Sequence, residues 1–188
     1  METKCKIPFP VEYLNATYAI YTEEKEKRSR RLLEKYKNKK VVGTLSGKDS
    51  EVALRMSVEV FGSLQVYINR YVGRRKLPDS IVEELINIVK KLGGKPIVGE
   101  KPWGPHSSLF HVIAEEMDID VIITGLRRQE DGDWHSKIWV HNREVQIVSP
   151  VSDWKYSDIW AYILYHKLPI LTPYCGSVPW ASLQSVVF

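Results

Sequence analysis

Val41-Val42-Gly43-Thr44-Leu45-Ser46-Gly47-Lys48-Asp49-Ser50 runs from a short β-prone stretch into a glycine turn. Beyond it, Glu51 to Phe61 carries Val52, Met56 and Val60 four apart, with Leu54, Val58 and Phe61 alongside, the spacing of a buried helix. Downstream the same alternation repeats. Leu64–Ile68 reads as a second strand, and Pro78-Asp79-Ser80 opens a helix with Ile81, Leu85, Ile88 and Leu92 on one face, ended by Gly93-Gly94. Pro96–Val98 is a third strand, and Ser107 or Ser108 can cap a helix with Leu109, Val112, Ile113 and Met117 inward. Val121–Thr124 is a fourth strand, apolar throughout as strands covered on both faces are, and Val145–Val148 a fifth. A last helix, capped by Ser157 or Asp158, carries Ile159, Tyr162, Ile163 and His166. Strands separated by helices imply right-handed βαβ units. The expected fold is α/β, a three-layer sandwich with a five-stranded, mainly parallel sheet.

The 188 residues are read as one domain: an N-terminal segment with a basic helix (1–40), an α/β core (41–150) and a C-terminal helix and tail (151–188). With 44% hydrophobic and 27% charged residues the chain is an ordinary globular sequence rather than a disordered one. No apolar run approaches the roughly 18 residues of a membrane span. Residues 1–6 lack a secretory signal, which predicts a cytoplasmic protein. Cys5 and Cys175 form no Cys-x-x-Cys, so no site for a metal or an iron–sulfur cluster is expected. The histidines, His106, His111, His135, His141 and His166, form no helical i, i+4 pair. The net charge of +4 favours anionic partners. Glu23 to Lys40, with nine Lys/Arg against four Glu, reads as a surface helix, its charge either solvated or a nucleic-acid patch.

In parallel sheets of this kind ligands sit beyond the carboxyl ends of the strands, so the loops after strands one, two and four carry the chemistry. Ser46-Gly47-Lys48-Asp49-Ser50 stands where backbone N–H groups and the helix dipole bind phosphate, with Gly47 allowing close approach and Lys48 adding charge. It is not a Walker A loop, since Gly43 and Gly47 are too close and Asp49 follows the lysine. An anion-binding loop and a well-capped turn are both open readings. After strand four, Gly125-Leu126-Arg127-Arg128-Gln129-Glu130 offers two arginines suited to bidentate recognition of phosphate or sulfate. After strand two, Asn69-Arg70-Tyr71-Val72-Gly73-Arg74-Arg75-Lys76 could close over an anionic ligand, touch RNA or lie solvated. In Ser149-Pro150-Val151-Ser152-Asp153-Trp154, Asp153 reads as a turn or capping residue, and Trp154 and Trp160 as packing aromatics.

Taken in order, these segments resemble the adenine-nucleotide alpha-hydrolase superfamily, the PP-loop ATP pyrophosphatases, and within it the phosphoadenosine phosphosulfate (PAPS) reductase family, over about residues 28 to 178. Gly47-Lys48-Asp49-Ser50 is similar to the core of the Ser-Gly-Gly-Lys-Asp-Ser loop, with one glycine fewer. Gly125-Leu126-Arg127-Arg128 is similar to the reductases' Gly-Leu-Arg-Arg segment. Pro150–Trp154, Asp158–Ile163 and His166-Lys167-Leu168-Pro169 resemble the Pro-hydrophobe-x-Asp-Trp, Asp-x-Trp-x-Tyr-hydrophobe and His-x-Leu-Pro run. The chain departs where Asn69-Arg70-Tyr71 replaces Asp-Thr-Gly and Pro78-Asp79-Ser80 replaces Pro-Glu-Thr. Residues 1–188 also lack the Glu-Cys-Gly-His-type tail that supplies the reductases' thiolate. Cys175 is the candidate nucleophile, the alternative being a small buried hydrophobe.

The resemblance implies a Rossmann-like fold. It also implies an adenylyl nucleotide (PAPS, APS or ATP, the last with Mg²⁺) bound by Ser46, Gly47, Lys48, Asp49, Ser50, Gly125, Arg127 and Arg128. Lys48, Arg127 and Arg128 would be its catalytic residues. The implied role is sulfonucleotide or adenylyl-transfer chemistry, as an oxidoreductase of sulfur metabolism or a transferase. Alternatives are an ATP pyrophosphatase activating an acceptor, including the tRNA-thiolation type, and a non-catalytic nucleotide-binding module whose partner protein or subunit brings a thiol. In the RNA-directed form, Glu23–Lys40 and Arg74-Arg75-Lys76 would carry the RNA backbone. RNA ranks below a small-molecule nucleotide as partner; a homo-oligomer is left open.

Overall fold

A computed structural model describes residues 7–104, 108–131 (side chains to 129) and 136–169. The described chain opens on α1 (Val11–Thr17), a π-helical turn (Tyr18–Thr22) and α2 (Glu23–Glu34). The alternating core follows: β1 (Val41–Thr44), α3 (Lys48–Phe61), β2 (Gln65–Asn69), a hairpin of β3 (Tyr71–Val72) and β4 (Arg75–Lys76), α4 (Asp79–Lys91), β5 (Lys95–Gly99), α5 (Leu109–Glu116) and β6 (Val121–Ile123). Then come α6 (Arg128–Asp131), β7 (Ser136–Val140), β8 (Arg143–Val148) and α7 (Tyr156–Tyr165). Ser108, not Ser107, precedes α5; Ser107 lies outside the described residues. No helix among the described residues is long and apolar enough to cross a membrane.

The main sheet runs β5-β2-β1-β6-β8-β7, parallel throughout except for β7. It has six strands rather than the expected five. The sixth, β7, pairs antiparallel with β8 through a two-residue turn in which His141 (φ 49°) and Asn142 (φ 61°) both take left-handed backbone, as a tight hairpin requires. Residues alternate between two apolar layers, as the pleat demands. Val66, Ile68, Val121, Ile123 and Val148 face the layer built by α1 to α4 and α7, whereas Val42, Tyr67, Ile122 and Val145 face α5. Tyr67 lies across Gly99, where any Cβ would collide with its ring, and its hydroxyl donates to Glu116 Oε2 (2.5 Å), tying β2 to α5.

The basic helix is a surface helix, as its pattern predicts: Glu23, Glu24, Lys27, Arg28, Arg31 and Glu34 are exposed, while one face packs inward. α2 buries Glu26, Ser29 and Leu33 and is bonded to the segment leading into α7. Trp154 Nε1 donates to Ser29 Oγ (3.2 Å), and the Ser29 hydroxyl donates to the Pro150 carbonyl. Glu26 accepts from Tyr18 (2.7 Å) and Arg30 (2.6 Å) and pairs with His166 (3.2 Å). Burial opposes its charge, yet these hydrogen bonds outweigh that and hold the carboxyl below its ordinary range. Asp158 is not the N-cap of α7. It sits in the first turn, accepts from the Lys155 amide (2.7 Å), and takes Lys25 (2.5 Å) and Thr22 (3.2 Å) on its oxygens. Trp154 and Trp160 are core residues, and Asp153 is an exposed turn residue paired with Arg28 at 3.7 Å.

Glu51, in the first turn of α3, is 1% exposed, and its Oε1 has no hydrogen-bond partner. Burial, with the charge of Glu84 added, pushes its carboxyl up to about 8. The folded protein then holds a proton there that the unfolded chain releases near pH 4.5, so stability falls as pH rises from about 5 to 8. Glu51→Gln is expected to flatten that decline, matching wild type near pH 4.5 and exceeding it at pH 9, as read by denaturant unfolding across the range.

Candidate active site

The chain crosses from β1 outward to β2 and β5, returns through α5, and resumes at β6 on the other side of β1. Adjacent loops therefore leave β1 and β6 in opposite directions, which opens a crevice at the carboxyl ends of these two strands. The β1 loop enters α3 through Gly47, and Ser50 organises the turn. Its hydroxyl donates to the Gly47 carbonyl (2.8 Å) and accepts from the Ser46 (2.9 Å) and Gly47 (3.0 Å) amides. Ser50 thus shapes the loop through its hydroxyl. The amides of Lys48, Asp49 and Ser50 belong to the first helical turn, where no carbonyl four residues back lies within the helix.

The β6 loop meets this turn directly. A Cβ built on Gly125 would overlap the Ser50 amide nitrogen and Cα and the Asp49 carbonyl carbon, so only glycine allows the two backbones to touch. Arg127, 2% exposed, then sends Nε to Asp49 Oδ2 (3.1 Å), and Lys48 Nζ stands 3.0 Å from Asp49 Oδ1. Two cations from different strand ends thus converge on one carboxylate beside a helix N-terminus.

Arg128 stands apart from this cluster. It is exposed at the start of α6, and its amide donates to the Ser152 carbonyl (2.7 Å). The Ser149 hydroxyl donates to the Leu126 carbonyl (2.6 Å), and the Thr44 hydroxyl to Ile123 O (3.2 Å), so the 149–152 turn and β1 brace the arginine loop. Tyr156 is a site residue that the sequence reading missed. Its ring, 39% exposed, lies 4.8 Å from Lys48 Nζ and 5.7 Å from the Arg127 guanidinium carbon, and it packs on Phe9. The available signal was position alone: Tyr156 opens the helix that follows the Pro-Val-Ser-Asp-Trp run.

Asn69 does not face the crevice as a ligand. It accepts from the Tyr71 amide (2.9 Å) and donates to Lys101 O (3.2 Å), bracing the hairpin. Among the described residues no three His, Cys, Asp or Glu side chains gather as a metal cage would need. Cys5, Cys175, His106 and His135 lie outside the described residues, as does the Glu130 side chain.

This geometry, a parallel sheet with a basic crevice at its reversal point, is that of the adenine-nucleotide alpha-hydrolase-like fold. Residues 109–174, about a third of the chain, match the model of the phosphoadenosine phosphosulfate reductase domain. Among solved structures the chain is similar to FMN adenylyltransferase of Candida glabrata in complex with FAD and inorganic pyrophosphate (TM-score 0.62, 14% identity, 86% of this chain and 65% of that one). It is also similar to yeast FAD synthetase in complex with FAD (TM-score 0.58, 16% identity, 86% of this chain and 67% of that one). A PAPS reductase from Candida auris is a further neighbour (TM-score 0.51, 13% identity, 88% and 91% covered). The chain thus spans 65% of the adenylyltransferase. No curated protein sequence matches it. The family resemblance and the fold read from the sequence are borne out; at these identities the solved neighbours show the fold alone.

Gly125→Ala is expected to cost about 1–3 kcal/mol in denaturant unfolding, since backbone must move to admit the methyl. Gly104→Ala, where the nearest atom would be 3.7 Å from the new methyl, is the control and leaves stability unchanged. Tyr156→Phe, which keeps the ring beside the two cations, is expected to leave stability unchanged and Tyr156→Ala to lower it by about 0.5–1 kcal/mol, as read by denaturant unfolding.

Proposed function

We propose that this chain binds an adenylyl nucleotide (ATP, APS or PAPS) across the β1–β6 crevice and acts in adenylyl-transfer or sulfonucleotide chemistry. The observation that carries the reading is the convergence of Lys48 and Arg127 on Asp49 beside the first turn of α3. The domain match over residues 109–174 and the fold shared with FMN adenylyltransferase and PAPS reductase support it.

In this reading the Lys48 and Asp49 amides, in the first turn that Ser50 shapes, take the phosphates, where the helix dipole favours negative charge. Lys48 and Arg127 exchange part of their contact with Asp49 for phosphate oxygens, Arg127 as a planar donor held from below and Lys48 as a compact charge steered by the Tyr156 ring. Gly125 keeps the β6 loop against the first turn of α3 so that both cations face one ligand, and Arg128 reaches outer oxygens from the rim. In adenylyl transfer an acceptor oxygen or sulfur attacks the α-phosphorus, the bond to the β-phosphate oxygen breaks, and pyrophosphate leaves with its charge met by these groups. The single carboxylate at the loop, Asp49, already serves two cations. The donor set therefore suits Mg²⁺ brought on the nucleotide's own phosphates rather than a resident ion. Mg²⁺ would supply charge neutralisation of the leaving group.

Sulfonucleotide reduction needs a thiolate in addition. Cys175 or a thiol-bearing partner protein would supply it.

Calorimetric titration with PAPS, APS and Mg-ATP side by side tests the reading. Binding of at least one in the micromolar range is expected, weakened tenfold or more by Lys48→Ala, the loss of about 1.5–3 kcal/mol that follows removal of a charged hydrogen bond. Preference for ATP with pyrophosphate release assigns adenylyl transfer, and preference for PAPS or APS assigns sulfonucleotide chemistry. If none of the three binds, the reading is wrong and the loop is only a capped turn.

A further inference from the structure

We infer that the β3–β4 hairpin is a second anion subsite, which holds the phosphate or carboxylate group of the acceptor on which the nucleotide acts. The inference rests on the nucleotide reading of the neighbouring crevice and names the acceptor's chemical class.

The first ground is position. β2 lies beside β1 in parallel register, Thr44 opposite Tyr67, and the Leu45 amide donates to the Tyr67 carbonyl (3.3 Å). β2 runs on to Asn69, two residues beyond Tyr67, so the chain leaves it one strand spacing to the side of the β1 turn and about 7 Å further along the strand direction. It emerges on the same ligand-facing edge of the sheet.

The second ground is rigidity. The Arg70 amide donates to Gly99 O (2.9 Å), the Leu77 amide to Arg70 O (2.8 Å) and the Trp103 amide to Gly73 O (3.0 Å). Trp103 Nε1 donates to Tyr71 O (3.3 Å), and Asn69 holds the Tyr71 amide. The hairpin is thus pinned along its length to β2 and to the loop after β5, and its side chains project from a fixed frame.

Charge supplies the third ground. Arg70 takes up the nearby carboxylates, Glu100 at 2.8 Å and Asp79. Arg74, Arg75 and Lys76 are consecutive and exposed, and no carboxylate among the described residues pairs with them. Arg75 and Lys76 are successive strand residues on opposite faces of β4, so an oxyanion placed there meets at most two of these cations, displacing no carboxylate among the described residues.

An RNA track would need the basic charge of α2 as well, and that charge is largely spent. Lys25 is paired with Asp158, Lys27 with Glu23, Arg28 with Asp153, and Arg30 with Glu26 and Glu59. The unpaired cations are concentrated on one short hairpin, which suits a small anionic group better than an extended backbone.

The test titrates inorganic pyrophosphate into the ¹⁵N-labelled full chain saturated with the ATP analogue AMPCPP, following the arginine Nε–H resonances. Arg31, an exposed arginine on α2 with no carboxylate partner among the described residues, is the internal reference. Arg74 and Arg75 are expected to saturate at a pyrophosphate concentration at least about tenfold below that for Arg31. Arg75→Glu, read at the remaining Arg74 resonance, raises the saturating concentration at least about tenfold without shifting the melting temperature, and Lys48→Ala leaves the wild-type response intact. Equal, non-saturating shifts at all three arginines overturn the subsite, because they mean general screening. Hairpin-dependent binding of a short single-stranded RNA, tighter than that of pyrophosphate, overturns it in favour of RNA. Failure of AMPCPP to bind wild type overturns the nucleotide reading instead, and the same titration without AMPCPP then still decides the hairpin.

Discussion

The cationic cluster depends on the contact of the Gly125 backbone with the first turn of α3. A parallel sheet that reverses its winding separates the loops on either side of the reversal, and a wide gap there would leave Lys48 and Arg127 unable to share a carboxylate. Because residue 125 has no side chain, the β6 loop rests on the Ser50 amide and the Asp49 carbonyl carbon, and the two cations meet at Asp49. The bracing around this contact has the same purpose. Ser50 ties the β1 loop to itself, while Ser149, Ser152 and Thr44 tie the β6 loop to its neighbours.

The polar groups behind the crevice explain why so charged a chain packs as it does. α2 brings its charges into contact with α7 and the turn before it, where buried Asp158 and Glu26 each collect several donors. A carboxylate with several donors tolerates burial that an unpaired one does not. Glu51 is the contrasting case, a buried carboxyl that burial keeps protonated and whose Oε1 meets no hydrogen-bond partner among the described residues. The same network positions the start of α7 and hence Tyr156, so the N-terminal helices and the cationic cluster are parts of one packed layer.

Much of this was legible. The strands β1, β2, β5, β6 and β8 are short apolar runs bounded by turn residues, and local pattern suffices to find them. The site loops follow from topology, since ligand sites of such sheets lie at carboxyl ends. β7 was missed because its alternation, with Lys137 and Trp139 on the outer side, looks polar, and because a His-Asn turn is a weak hairpin signal. The hairpin after β2 was read as a loop because its strands are two residues each. Arg127 and Arg128 are neighbours of the same type, so the chain offered no way to tell that one is buried on Asp49 and the other exposed.

The amino-acid order by itself determined the alternation of elements, the parallel sheet, the placement of Ser46–Ser50 and Gly125–Arg128 at one edge, and the family they resemble. These depend on hydrophobic period and turn chemistry, which act over a few residues. Only the tertiary structure decided that Ser50 shapes the loop, that Asp49 is the shared partner of two cations, that Tyr156 lies beside them, and that Lys25 and Arg30 of the basic helix are held by carboxylates. Apart from the local Ser50 turn, each of these joins residues far apart in the chain. Such choices are set by which side chains share a volume of low dielectric, and no local pattern carries that information.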